Sequence, residues 1–182
     1  AAIAAAGEHH SLEVVLVGRE GMVGIPLLLD ASMSELIATV VWPGTALCIG
    51  AEGLRLQLLA STQLEKRLRR YVLASIVQLA RAVLCSRYHH LDERLARRLL
   101  MQQDRMPRQA LHVTHEFLAA TLGVRRAGVT RAANGLQRQK LIAYRRGVVT
   151  ILDRQGLLRA ACACYAADRA TCARLMHHRP AS

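Results

Sequence analysis

Apolar and polar positions follow three rhythms along this chain. From Ser11 to about Ala60, short apolar runs (LEVVLVG, IPLLL, LIATVVWPG, TALCIG, LRLQLL) are cut by Gly and Pro, the pattern of strands closing a small sheet or barrel. From Ser61 to Arg87 no Gly or Pro interrupts 27 residues, and Leu68, Val72, Leu79 and Val83 recur at spacings near three and four. That spacing predicts one helix of roughly 40 Å at about 1.5 Å per residue. Lys66, Arg67, Arg69 and Arg70 crowd its start. So long a helix has more apolar surface than one flanking domain covers, and a partner helix is expected to bury the rest. After His89 and His90 the helical rhythm resumes as LDERLARRLLMQQ and stops at Pro107.

The next stretch, THEFLAATLGVRRAGVTRAANGLQRQKLIAYRRGVVTILD, joins two helical patterns through a single Gly. Thr114 is placed to cap the first helix through its hydroxyl, with Glu116 in the first turn favoured by the helix dipole. Leu118, Ala119 and Leu122 give that helix an inner face, and Gly123 ends it, since Gly takes a positive φ without steric cost. A second helix is predicted from about Arg125 to Gln139, with Val129, Ala132, Ala133 and Leu136 inward. Ala127, Arg131, Asn134 and Arg138 lie opposite, with Arg126 and Thr130 on the flank, so the outer face is cationic and hydrogen-bonding. LIAYRRGVVTIL then reads as a hairpin whose tip carries Arg145 and Arg146. A helix-turn-helix followed by such a hairpin is a winged helix. The competing reading is a plain helical hairpin with a solvated basic face, and it leaves the coincidence of apolar frame, turn Gly and charged wing unexplained.

Charge sharpens the picture. The chain has 182 residues and a formal charge of +12, but residues 1–60 carry −4 and residues 61–182 carry +16. With only two lysines among the cations, the block suits a phosphate-bearing partner, because the guanidinium fork binds phosphate bidentately. Nucleic acid leads over an anionic membrane. AAIAAAG lacks a basic lead-in, and the longest uncharged stretch, Leu36 to Ala51, is broken by Pro43 and Gly44, so neither a signal peptide nor a spanning helix is expected.

The five cysteines, Cys48, Cys85, Cys162, Cys164 and Cys172, form no CxxC pair, and an odd number fits thiols in a reducing cytoplasm. A metal site through His177, His178 and the cysteines of the last helix is the rival reading. Adjacent histidines such as His89-His90 and His177-His178 point to different faces of a helix, so no metal is expected. A redox- or metal-responsive sensor using these Cys and His residues is the alternative function. An enzyme would need an acid, a base and a nucleophile in one constellation, and none is apparent.

The segments GREGMVGIPLLL at 18–29, LDERLARRLL at 91–100, VTHEFLAATLGVRRAGVT at 113–130 and GLQRQKLIAYRRGVVTILDRQGL at 135–157 resemble bacterial transcription regulators of the Crp/Fnr family. The resemblance covers nearly all of the chain. It implies an α+β fold: a partial cupin-like, cyclic-nucleotide-binding-like β-barrel over 1–60, a dimerisation helix over 61–88, and a winged helix-turn-helix domain over 89–182. It also implies a homodimer on an inverted repeat in double-stranded DNA, RNA polymerase as a further partner, and a small-molecule effector of unknown identity.

By the same resemblance Thr114, Arg125, Arg126, Thr130, Arg131, Arg145 and Arg146 are the DNA-binding set. Arg126 is the expected reader of guanine through O6 and N7. Two departures stand out. Ala127 replaces the Glu that commonly follows the matching Arg, which removes a contact to cytosine. Ser34 and Glu35 stand where cyclic-nucleotide binders carry Arg followed by Ser or Thr, so cyclic AMP binding is not expected. An iron–sulfur sensor of the family would carry cysteines near the N-terminus, and residues 1–47 have none. The family's barrel ordinarily needs more chain than the 60 residues before the long helix. Its first strands are therefore expected to be missing, through a fragment or a degenerate barrel, with apolar surface uncovered.

Overall fold

The computed structural model describes residues 2–6, 11–106 and 110–176. The first three strands are β1 (Ala2–Ala6), β2 (Ser11–Leu16) and β3 (Ile37–Thr39). They form an antiparallel sheet in the order β2-β1-β3. It is a small open sheet, as a partial barrel requires.

Three of the apolar runs expected to be strands are not. IPLLL forms a 3₁₀ helix over Ile25–Leu29, since Pro26 fixes φ and removes an amide donor at its first turn. LRLQLL lies within helix α1 (Ala51–Ala60). Its Leu, Arg, Gln and Ala residues are good helix formers and none is β-branched. Only Leu54 of α1 is buried. A third run, TALCIG, takes no regular structure.

The long helix α2 spans Thr62–Tyr88, 27 residues, and Ser61 caps it by accepting from the Leu64 amide at 3.2 Å. Tyr71, Val72, Ser75 and Cys85 are buried on one side, whereas Leu73, Ile76, Leu79, Val83 and Leu84 are exposed. The residues that predicted the helix are thus shared between a covered and an uncovered face.

Helix α3 (Leu91–Arg105) follows directly, its first turn closed by the Glu93 carboxylate accepting from the His90 amide at 3.0 Å. Strand β4 (Ala110–His112), helices α4 (His115–Leu122) and α5 (Arg126–Arg138), strands β5 (Ile142–Arg145) and β6 (Val148–Ile151), and helices α6 (Arg154–Ala160) and α7 (Cys164–Met176) complete the chain. β4 was not anticipated, because three residues carry no readable period. It pairs antiparallel with β6, Leu111 opposite Val149, in a sheet of order β4-β6-β5.

One core holds this part together: Leu95, Leu99, Leu111, Leu118, Val129, Leu136, Ile142, Val149 and Leu157 are all essentially inaccessible. Leu16 of β2 reaches into the same core. Beside it, Glu13 of β2 meets Arg98 of α3 in a two-pronged ion pair, 2.7 and 2.9 Å, nearly closed to solvent. Burial raises the Glu13 carboxyl above its ordinary value, and the Arg98 charge only partly offsets it. Leu16 and the buried Glu13–Arg98 pair thus tie the N-terminal sheet to the C-terminal core.

Candidate nucleic-acid interface

The helix-turn-helix frame forms as its sequence dictates. The Thr114 hydroxyl accepts from the Phe117 amide at 3.1 Å and starts α4. Gly123 ends it at φ 63°, and a Cβ there would lie 2.9 Å from the Leu12 side chain, so both backbone and space demand Gly. Arg94 of α3 donates to the carbonyl of Leu122 at 2.5 Å, satisfying a helix-end acceptor. Val129, Ala132, Ala133 and Leu136 bury one side of α5. The opposite side therefore faces outward with Arg125, Arg126, Arg131, Asn134 and Arg138 exposed.

The wing turns through Arg146 and Gly147, both at positive φ (47° and 79°), which matches the right-handed twist of the strands it joins. Arg145 and Arg146 are exposed at its tip. The wing is held to the helices by residues that were not singled out from the sequence. His115 stacks on Tyr144 with ring centroids 4.3 Å apart. The Tyr144 hydroxyl donates to the Val113 carbonyl at 2.9 Å, and its amide donates to Gln137 Oε1 at 2.9 Å. The readable signal was Tyr144 as the sole aromatic of the hairpin, because a half-buried phenol requires a hydrogen-bond partner.

Thr130 is half-buried and already engaged: its Oγ1 lies 3.0 Å from His115 Nδ1 and donates to the Arg126 carbonyl at 3.2 Å. Burial, aided by the Arg126 charge, lowers the His115 pKa and favours neutral imidazole in that bond. Thr130 thus ties α5 to α4 at the edge of the cationic face.

The arginines divide into two populations. Arg81 and Arg97 share Asp168 at 3.1 and 2.6 Å, Arg98 holds Glu13, Arg105 holds Glu20 at 2.8 Å, and Arg154 holds Asp104 at 2.6 Å. Among the described residues, no carboxylate pairs with Arg125, Arg126, Arg131, Arg145 or Arg146. Interior carboxylates take up these five arginines, and the cations of α5 and the wing are left to an external anion. A cavity of about 270 Å³ lies between β2, α2, α3 and α7. Several of its polar side chains are already engaged: Glu20 with Arg105, Arg81 with Asp168, and Tyr71 donating to the Met22 carbonyl.

A second constellation sits away from this face. Cys85 and His89, one helical turn apart at the end of α2, meet Cys162 and Cys164 at the junction of α6 and α7. Cys85 Sγ lies 3.5 Å from Cys162 Sγ, and Cys164 Sγ lies 3.6 Å from His89 Nδ1. The hydrogen bond from Cys162, aided by His89 and Arg97, pulls the Cys85 pKa down to about 5, while Cys162 is raised by giving that bond. The expectation of no metal considered His89-His90 as a pair on one helix. The structure corrects that premise: His89 closes α2 and His90 precedes α3, and the relevant neighbours of His89 are distant in sequence. His177 and His178 lie outside the described residues.

Comparison with known proteins agrees with this geometry. Residues 93–160 match the family model of the Crp-like helix-turn-helix domain. No curated protein matches the chain. Among solved structures, a Crp/Fnr-family transcriptional regulator from Thermus thermophilus is similar over 88% of this chain and 82% of its own, at 22% identity and TM-score 0.63. FixK2 from Bradyrhizobium japonicum is similar over 63% of this chain and 60% of its own, at 18% identity and TM-score 0.57. A protein from Eubacterium rectale assigned to the same family gives 25% identity and TM-score 0.48 over 60% of this chain, which spans 51% of that one. The Thermus and Bradyrhizobium structures establish a shared fold. Among the described residues no helix is long and apolar enough to cross a membrane.

Proposed function

We propose that this chain, a Crp/Fnr-type transcription regulator by its fold and its Crp-like helix-turn-helix domain, binds an inverted repeat in double-stranded DNA as a homodimer. The observation that carries the reading is the segregation of arginines: Arg97, Arg98 and Arg154 inside the fold are paired with carboxylates, whereas among the described residues no carboxylate pairs with Arg125, Arg126, Arg131, Arg145 or Arg146. Helix α5 enters the major groove with Arg126 on a guanine edge, flanked by Arg125, Arg131 and Thr130. Arg145 and Arg146 of the wing hold backbone phosphates, and Thr114 at the start of α4 adds a hydrogen bond to the sugar–phosphate backbone. Ala127 offers no acceptor to cytosine, so the preferred half-site differs from that of relatives with Glu there.

The exposed row Leu73, Ile76, Leu79, Val83 and Leu84 on α2 fits a second copy of the same helix. A dimer of this kind sets its recognition helices about 34 Å apart, with half-sites roughly 10 to 11 base pairs centre to centre. Ile76→Asp is expected to leave a monomer in sedimentation analysis; a variant that stays dimeric rejects this interface. Ser34 is engaged locally, bonded both ways with Leu36, and Glu35 repels phosphate, which supports operator binding without a cyclic nucleotide.

The test compares Arg126→Ala with Arg146→Ala on a panel of single-base operator variants. Arg126→Ala is expected to cost about 1–3 kcal/mol on the preferred site and to relax selectivity at one base pair. Arg146→Ala is expected to weaken all sites alike. With six to ten phosphates contacted, affinity falls by about 10³ to 10⁵ between 50 and 200 mM salt. A uniform loss in Arg126→Ala rejects its base-reading role, and a flat salt response rejects the electrostatic one.

A further inference from the structure

We propose that Cys85, His89, Cys162 and Cys164 form a tetrahedral site for a single zinc-class divalent ion that fastens the end of α2 to the α6–α7 junction. The local chain geometry supplies the four donors. One helical turn separates Cys85 from His89, so both face the same way at the end of α2. Helix α6 ends at Ala160 and α7 begins at Cys164, leaving a short non-helical link that starts extended at Ala161 (φ −78°, ψ 147°). Cys162 and Cys164 bracket one residue of this link, and together they meet the α2 pair.

The distances suit one ion. All four donor atoms lie within 4.8 Å of one another. Zinc binds thiolate sulfur at about 2.3 Å and imidazole nitrogen at about 2.0–2.1 Å, so tetrahedral angles place sulfurs about 3.8 Å apart and sulfur about 3.5 Å from nitrogen. The observed 3.5 Å between Cys85 and Cys162 and 3.6 Å between Cys164 and His89 differ from these by a few tenths of an ångström. An iron–sulfur cluster is broader than a single ion and needs its cysteines spread more widely. The donor set is soft, with no carboxylate among the four, which disfavours magnesium, calcium and manganese.

The surroundings fit as well. The three cysteines are buried but form a cluster of their own, separate from the aliphatic core. Plain apolar packing does not account for three thiols gathered around a histidine. Three thiolates, a neutral imidazole and a divalent ion sum to one negative charge. Arg94 and Arg97 of α3 line the same small cavity as Cys85 and supply positive charge beside it. Four protein donors fill the tetrahedron and leave no open position, the mark of a site that holds structure. Binding forms three metal–thiolate bonds, and each thiol that still carries its proton releases it to solvent, with no change of oxidation state.

The site lies where the long helix meets the end of the DNA-binding domain, beside Asp168, which already bridges Arg81 of α2 and Arg97 of α3. An ion there restrains the angle between the two, a consequence that rests on the proposed DNA-binding function, although metal binding does not.

The reduced chain is loaded with zinc, desalted and assayed for metal, and cobalt(II) is then exchanged in. The expected result is about one ion per chain, a thiolate-to-cobalt charge-transfer band, and the intense visible bands of tetrahedral cobalt. Cys162→Ser and His89→Gln lose the ion, Cys48→Ser and Cys172→Ser keep it, and His89→Cys restores tetrahedral binding with a shifted spectrum. Circular dichroism on wild type stripped with a chelator separates loss of metal from loss of fold. No zinc taken up by the folded, reduced wild type overturns the proposal. So does iron accompanied by acid-labile sulfide, zinc retained in Cys162→Ser, or a Cys85–Cys162 disulfide forming while zinc is present. Operator binding is measured on the same samples: binding DNA without ever taking up zinc sinks this inference alone, and zinc bound without any DNA affinity sinks the functional reading alone.

Discussion

Residues 11–60 are at least as rich in apolar side chains as residues 91–160, yet the two regions use them in opposite ways. In the later region the leucines and valines of α3, α4, α5 and the wing close on one another, and nine of the largest are essentially inaccessible. In the earlier region Val14, Val15 and Val17 form a small cluster. Leu16 leaves for the other core, while Leu29, Met33, Val40 and Leu47 stand in solvent. Hydrophobic content alone does not make a core. It takes elements whose apolar faces meet within the same stretch of chain, and the three strands and short helices of the first region do not supply a second layer to face their sheet.

The largest expected effect tests the tie between the regions. Glu13→Leu leaves Arg98 buried without its countercharge and is expected to cost about 3–5 kcal/mol in urea denaturation. Glu13→Gln gives the sign of the linkage. Because burial raises the carboxyl pKa in the folded state, the native protein holds this proton at pH values where the unfolded chain has released it. Its contribution to stability is fully present below the unfolded value and is lost as pH rises through the folded one. Wild type should lose that increment between the two values, and Glu13→Gln should lack the slope. Identical pH profiles for the two proteins would contradict the assignment.

The contrast between cores comes next. Leu99→Ala, in the closed core, is expected to destabilise by about 2–5 kcal/mol, whereas Leu47→Ala, fully exposed, should change stability by no more than about 0.5 kcal/mol. Comparable losses at the two sites would mean that the first region is covered in solution, and the contrast between regions would fall. The smallest effect is local. Thr114→Ala removes the α4 cap and should cost roughly 0.5–2 kcal/mol, with thermal melting as the readout. No shift would show that water replaces the hydroxyl at the Phe117 amide.

Much of the candidate interface was legible because it is local. Thr114 caps, Gly123 turns and the inward row Val129, Ala132, Ala133, Leu136 each depend on neighbours within a few residues, and so does the Arg146-Gly147 turn. The helix period then places the outward arginines by subtraction. What escaped was held by distant partners: the His115–Tyr144 stack, the Gln137 bond to the wing, and the pairing of β4 with β6.

The sequence by itself determined the long helix, the helix-turn-helix frame, the charged wing and the uneven charge, since backbone geometry and side-chain period decide these before the chain meets itself. Only the tertiary structure decided which arginines are free. Asp168, Asp104, Glu13 and Glu20 select their partners across the fold, and no spacing along the chain announces that choice. The gathering of Cys85 and His89 with Cys162 and Cys164 has the same origin. More than seventy residues separate the two halves, and what joins them is the packing of α7 against α2 and the Asp168 bridge beside it.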